Sequence, residues 1–151
     1  MIEIRHFKID ELHVAEMIGA ESYPPEYYEG SSSFKSKIQS NTDSCFVGLV
    51  DGNVAGYAIG FPYLKGMPYP IDKDYELTQN SDCHYLHDVC VAYWARGLGL
   101  GDAMVEVSTK GRHPVALTAV MYSEGFWLRH GFKTLFELNY YGRLAKYMLK
   151  K

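Results

Sequence analysis

Residues 85–106 read YLHDVCVAYWARGLGLGDAMVE. A strand-like run ends at Val91, a helix-like run begins near Gly99, and glycines at 97, 99 and 101 fill the passage between them. The first residues of a helix have backbone N–H groups without intrahelical partners, and the helix dipole is positive at that end. Glycines there let the backbone approach a phosphate closely, because no Cβ stands in the way. The segment therefore reads as an anion cradle.

Two nucleotide motifs fail against these letters. G-x-G-x-x-G needs a glycine at 102, where the chain has Asp102. A P-loop needs Gly-Lys followed by Ser or Thr at the helix start, and none is present. What remains is R-x-x-G-x-G, running Arg96, Gly99, Gly101.

Outward from this segment the chain punctuates clearly. Ile2 and Ile4 alternate with Glu3 and Arg5 as a first strand, and Asp10 is placed to cap a helix through Leu12, Ala15, Met17 and Ile18. Pro24-Pro25 interrupts it, and a tyrosine-rich loop leads to a second short helix through Phe34 and Ile38 with a serine cap. CFVGLV and VAGYAIGF flank Asp51-Gly52-Asn53, a tight hairpin turn. From Pro62 to Asp82 neither period holds, and Asp72, Asp74, Glu76 and Asp82 make this long loop acidic. Then follow a strand over 84–91, a helix over 99–110, a strand at PVALTAV, a short helix at SEGFWLRH, and strands around 132–138 and 143–149.

The order βααβββαβαββ, with no internal repeat, predicts one α/β domain over 1–151 built on a mixed sheet. Hydrophobic residues make up 47% and charged residues 22% of the 151, values that support a folded core. A net charge of -3 without a basic run argues against nucleic-acid binding. No stretch is apolar enough to span a membrane, and the odd count of three cysteines without C-x-x-C spacing reads as reduced thiols. A cytoplasmic protein is expected.

The R-x-x-G-x-G motif after a strand resembles the GNAT family of N-acetyltransferases. SEGFWLRHGF strengthens the likeness, because Trp127, Gly131 and Phe132 fit that family's aromatic-x-x-x-Gly-Phe pattern at the right distance downstream. YLHDVCV, ARGLGLG and the Ser123-x-x-Phe126-Trp127 cluster look like a bacterial subgroup of acetyltransferases. The element order is also the family's, so the resemblance covers essentially the whole chain. It implies a mostly antiparallel mixed sheet flanked by helices, and acetyl-CoA as cosubstrate.

The resemblance further implies that the backbone at Val89, Cys90 and Val91 pairs with the pantetheine arm. The diphosphate is expected on the N–H groups of Arg96, Gly97, Leu98, Gly99, Leu100 and Gly101, with Ser123 and Trp127 on the far wall. His87 stands where some relatives carry a glutamate base, and an imidazole suits accepting an ammonium proton near neutral pH. His87 and Tyr85 share a strand face, so Asp88 is expected on the opposite one. Where many relatives have a tyrosine acid this chain has Trp127, so Tyr122 is a candidate acid, beside a water oriented by Ser123 or a thiolate that leaves unassisted.

His84 and His87 are three apart on a strand, so they face opposite sides and no metal site is expected. Cys90 reads as a small buried strand residue. Tyr23, Tyr27 and Tyr28 with the acidic loop suggest a mouth for a cationic amine. Transfer to a small-molecule amine is the leading expectation. A peptide acetyltransferase and a non-catalytic acyl-CoA-binding domain remain open beside it, and free strand edges allow a homodimer without requiring one.

Overall fold

The structure, a computed structural model, describes residues 1–151. Seven strands form one sheet: β1 (Ile2–His6), β2 (Cys45–Val50), β3 (Asn53–Tyr63), β4 (Cys83–Val91), β5 (Val115–Ala119), β6 (Lys133–Tyr140) and β7 (Arg143–Lys150). Their order is β1-β2-β3-β4-β5-β7-β6, antiparallel throughout except for the parallel pair β4–β5. Four helices complete the βααβββαβαββ order: α1 (Leu12–Ser22), α2 (Ser31–Ser40), α3 (Leu100–Thr109) and α4 (Glu124–Arg129). The mixed, mostly antiparallel sheet read from the sequence is the one observed.

The hairpin turn is as expected, with Asp51 at φ 50° and Gly52 at φ 83°. The helix caps are not. Asp10 lies inside a 3₁₀ turn, Ile9–Glu11, and it is Glu11 that receives the Lys8 N–H at 3.0 Å while pairing with Arg5. At α2 the N-cap is Gly30, and the carboxylate serving that helix start comes from the distant loop: Asp72 accepts the Gly30 N–H at 2.8 Å. Asp74 accepts from Ser32 there as well. Carboxylates gather at a helix N-terminus because the dipole favours negative charge.

That pairing explains the 64–82 loop. Tyr69 and Tyr75 bury their rings against Phe61 of β3, at 4.7 Å each, so the loop is a packed arm of the core. Its outer end is tied to the β6–β7 turn by the Ile71 N–H, which donates to the Tyr141 hydroxyl at 2.9 Å. The loop's acids are thus turned away from the mouth for which the sequence suggested them.

Two features shape the centre of the sheet. β4 and β5 pair only at His84–Val115 and Tyr85–Ala116, and beyond Tyr85 they part into a notch. On its other edge β4 carries a bulge: Ile59 pairs with Asp88 and Gly60 with Leu86, so His87 is the extra residue. A bulge resets the alternation of side chains. Tyr85, His87 and Asp88 therefore all line one cavity, and Asp88 does not take the opposite face that strict alternation predicts.

Candidate active site in the notch between β4 and β5

The notch opens into a cleft of about 370 Å³. One wall is β4 from Leu86 to Val91, and the other is formed by Leu117, Thr118 and Val120 with Ser123, Phe126 and Trp127. Strand alternation settles which β4 backbone groups face it. The Ala92 N–H donates to Ala55 O of β3 at 2.7 Å, and the Cys90 carbonyl lies against Gly56 of the same strand. Val89 and Val91 consequently turn their main-chain groups toward the notch. Cys90 does not, and burial pushes its thiol up to about 12, which removes it as a nucleophile.

At the far end of the cleft lies the glycine turn. Gly97 and Gly99 adopt φ 81° and 85°, a left-handed backbone that L side chains rarely enter, with open space around each. Gly101 faces the cleft, where a Cβ would sit 3.7 Å from Phe126 and Val91. The amides of Leu100, Gly101 and Asp102 open α3 and have no carbonyl within the helix to bind. Leu100 itself anchors this start, its side chain buried with Met104 against Gly48 and Gly56, so only its backbone is available to a ligand. Leu98 is exposed. Arg96 lines the cleft, its Nε donating to Val91 O at 3.3 Å. Asp102, which stands where a dinucleotide motif needs glycine, is engaged by His130 Nε2 at 2.7 Å.

On the other side of the bulge are two smaller chambers. The first is lined by Tyr27, Glu29, Ile71, Tyr85 and Tyr140, together with His87, Asp88 and Thr118 from the strands and Val120 just after β5. The second runs beneath α1 and is lined by Glu16, Gly19, Ala20, Phe34 and Tyr57, among others. Tyr23 and Asp88 border both chambers and the cleft, so the three spaces meet there.

The polar groups at this junction are held firmly. The Tyr23 hydroxyl donates to Asp88 Oδ1 at 2.7 Å, and the Tyr57 hydroxyl donates to Oδ2 at 2.9 Å. Burial nevertheless raises the Asp88 carboxyl above its ordinary range. Glu29 is the opposite case: contacts with His87 and Lys37 override its desolvation and hold it at about 2. One Glu29 oxygen pairs with Lys37, which is fully buried, and the other lies 3.5 Å from His87 Nε2. A carboxylate only accepts, so the contact needs a proton on Nε2, and the tautomer that carries its single proton there has its lone pair on Nδ1. His87 Nδ1 and the Tyr27 hydroxyl are buried without any hydrogen-bond partner, and both residues line the first chamber.

Of the residues singled out from the sequence, His87, Val89, Cys90, Val91, Arg96, Gly101, Ser123 and Trp127 line the cleft. Tyr122 does not. It is 97% exposed at φ 59°, so it stands in solvent away from the reacting region. His84 lies apart from His87 in a surface cavity with Arg112 and Asp43, and no three His, Cys, Asp or Glu side chains cluster as a metal would require. Sequence reasoning missed Glu29, Tyr57 and Thr118. The first two reach the site from distant elements, and Thr118 bonds to the Tyr85 hydroxyl at 2.6 Å across the apex of the notch.

A family model described as the acetyltransferase (GNAT) family matches residues 8–132. No curated protein matches the chain. Among solved structures, Ard1 from Thermoplasma volcanium superposes with a TM-score of 0.80 at 19% identity, covering 99% of this chain and 96% of that one. Arabidopsis thaliana Naa50 in complex with the bisubstrate analogue CoA-Ac-MVNAL gives 0.75 at 12%, covering 99% and 98%. A GNAT-family acetyltransferase from Bacillus cereus gives 0.72 at 14%, covering 100% and 97%.

Proposed function

The chain belongs to the acetyltransferase (GNAT) family, and from that premise we propose that it transfers an acetyl group from acetyl-CoA to the primary amine of a small molecule. The observation that carries this reading is the junction at Asp88 and Tyr23, where the cleft under the glycine turn meets two acid-and-tyrosine chambers. The residues present suit the cosubstrate. Left-handed Gly97 and Gly99 and the free amides that open α3 would hold the diphosphate. The notch edge at Val89 and Val91 would pair with the pantetheine arm, which supplies the activated acyl group.

Direct attack requires a neutral amine, adjacent reactants and support for the developing oxyanion. His87 Nδ1 is the unpaired acceptor at the junction, so it takes the proton from the incoming ammonium, with Glu29 fixing the ring. Asp88 is less available, since both of its oxygens already accept tyrosine hydroxyls. The new C–N bond forms as the C–S bond breaks, and the Val89 N–H is the notch-edge donor for the carbonyl oxygen. The departing thiolate receives a proton, balanced by the second one that the nitrogen sheds on becoming an amide. Tyr23, whose hydroxyl also reaches Val89 O at 3.2 Å, replaces Tyr122 as the residue assigned to that step.

A small acceptor is favoured over a peptide because the chamber is bridged on its outer side. Arg143, the first residue of β7, pairs with Glu26 of the α1–α2 connection at 2.9 Å, and the Tyr27 and Tyr140 rings meet at 5.8 Å. These contacts narrow the approach that an extended chain would need. A panel of amines and peptides, read by free thiol released from acetyl-CoA, tests the reading: release with small amines supports it, and release with peptides alone overturns it.

A further inference from the structure

Lys37 sits on α2 with its side chain fully buried, and it lines neither the cleft nor either chamber. Its ammonium pairs with Glu29 Oε1, donates to the Lys73 carbonyl at 2.6 Å, and lies 5.3 Å from the centre of the Tyr69 ring. The second Glu29 oxygen is the one 3.5 Å from His87 Nε2. The Glu29 and His87 side chains are 10% and 4% exposed, so little water screens the three groups from one another. Lysine, glutamate and histidine thus form one chain from α2 to the bulge of β4.

The charge of that chain decides whether His87 can act as a base. A carboxylate alone beside a buried imidazole favours the imidazolium, by about one to three pKa units for an opposite charge at such range. An imidazolium has no lone pair with which to take a proton. With Lys37 present, Glu29 is already balanced, and protonating His87 would leave a net positive charge in a site that water barely reaches. Without Lys37, the neutral arrangement would be Glu29 paired with protonated His87, and Nδ1 would be closed to an incoming ammonium.

The other ionisable groups around the ring are the same with or without Lys37. Asp88, next in the chain, keeps both oxygens on the Tyr23 and Tyr57 hydroxyls. Tyr69 of the 64–82 loop meets the ring edge-on at 5.5 Å, and Tyr27, Tyr85 and Tyr140 line the same chamber as His87. Burial raises these four phenols above their ordinary range, so they stay uncharged near neutral pH. The Lys73 ammonium lies 5.7 Å from the centre of the Tyr69 ring, and it is the Lys73 carbonyl that meets Lys37.

We propose that Lys37 is a positioning residue for the reaction: it balances the Glu29 charge, so that His87 stays a neutral base with Nδ1 open to the acceptor. This rests on the transferase reading and adds to it a residue outside every chamber of the site.

The experiment is an NMR titration of the His87 imidazole in the full chain, its signal assigned by its loss in His87→Ala. Lys37→Gln keeps a donor for Glu29 without the charge and should raise the midpoint by about one unit or more. Lys37→Met is the second neutral variant, should the first not fold. Lys37→Arg keeps the charge and should retain most of the wild-type value. An unmoved midpoint in the neutral variant, or an equal rise in Lys37→Arg, overturns the proposal. If neither neutral variant folds, the wild type decides: nitrogen-15 spectra just above neutral pH should show a single ring proton, on Nε2, and an imidazolium or a proton on Nδ1 overturns it. In turnover, the acidic limb of the pH–rate profile should move up with the midpoint while coenzyme A affinity stays unchanged. Thiol release separates this from the transferase reading. A raised midpoint in a protein that releases no thiol upholds the charge balance and removes the transferase, whereas release with an unmoved midpoint does the reverse.

Discussion

The Glu29 carboxylate joins two groups, Lys37 through one oxygen and His87 through the other, whose distance to Nε2 is 3.5 Å. Lys37 is fully buried, so its charge is tolerable only with this partner and the Lys73 carbonyl. Glu29→Gln leaves a buried ammonium unpaired, a change that typically costs on the order of 3 kcal/mol. Urea unfolding should show that loss, and adding Lys37→Met to the same chain should recover part of it. A Glu29→Gln protein as stable as the wild type would show that the pair contributes nothing.

The same carboxylate sets an acid limit. Its folded value of about 2 lies below the ordinary 4.5, so it adds stability that is fully present above the ordinary value and is lost as pH falls through about 2. The lowering corresponds to on the order of 3 kcal/mol at about 1.4 kcal/mol per unit. Unfolding free energies of the wild type and Glu29→Gln, measured from neutral pH downward, should converge across that window. Parallel curves would contradict the assignment.

Asp88 carries the opposite sign. Burial raises its folded value above the ordinary 3.8, so its contribution to stability is present below that value and is lost as pH rises through the folded one. Asp88→Asn removes a charge that opposes folding at neutral pH, and its melting temperature should rise. Acetyl transfer should slow in the same variant, because Tyr23 and Tyr57 lose the anion that orients them. A lower melting temperature would mean that the tyrosine hydrogen bonds outweigh the burial.

The glycine turn was legible from the sequence because its requirement is local: residues with positive φ and no Cβ between a strand and a helix. The element order followed for the same reason, each helix and strand carrying its own period. The acidic loop was misread because the partners of Asp72 and Asp74, at the start of α2, lie about forty residues earlier in the chain. Asp88 was assigned to the wrong face because one inserted residue, His87, shifts the alternation, and nothing in YLHDVCV marks a bulge. Glu29 gave no signal at all. It is a loop glutamate beside glycine and serines, and only the fold brings it to His87.

His87→Ala tests the proposed base directly. Removing a positioned general base typically costs about a hundredfold or more in rate. kcat should fall by that order, with the acidic limb of the pH–rate profile lost and coenzyme A affinity retained. An unchanged profile would eliminate His87 from the reaction.

Gly19→Ala probes the junction without touching its charges. The new methyl would come within 2.7 Å of the hydroxyl of Tyr57, a fully buried side chain, so overpacking should cost about 1–3 kcal/mol. The resulting shift draws Tyr57 away from Asp88, and the rate should fall to match Tyr57→Phe. A wild-type rate would show that this hydrogen bond has no part in transfer.

The central claim is that backbone amides around Gly97–Gly101 grip coenzyme A beside β4. Calorimetric titration of coenzyme A into the wild type and Gly99→Val tests it most directly, since a β-branched side chain at φ 85° distorts the turn while the residue faces open space. The account predicts one binding site in the wild type and affinity at least about tenfold weaker in the variant. No heat with the wild type, or equal affinity in both proteins, would contradict it.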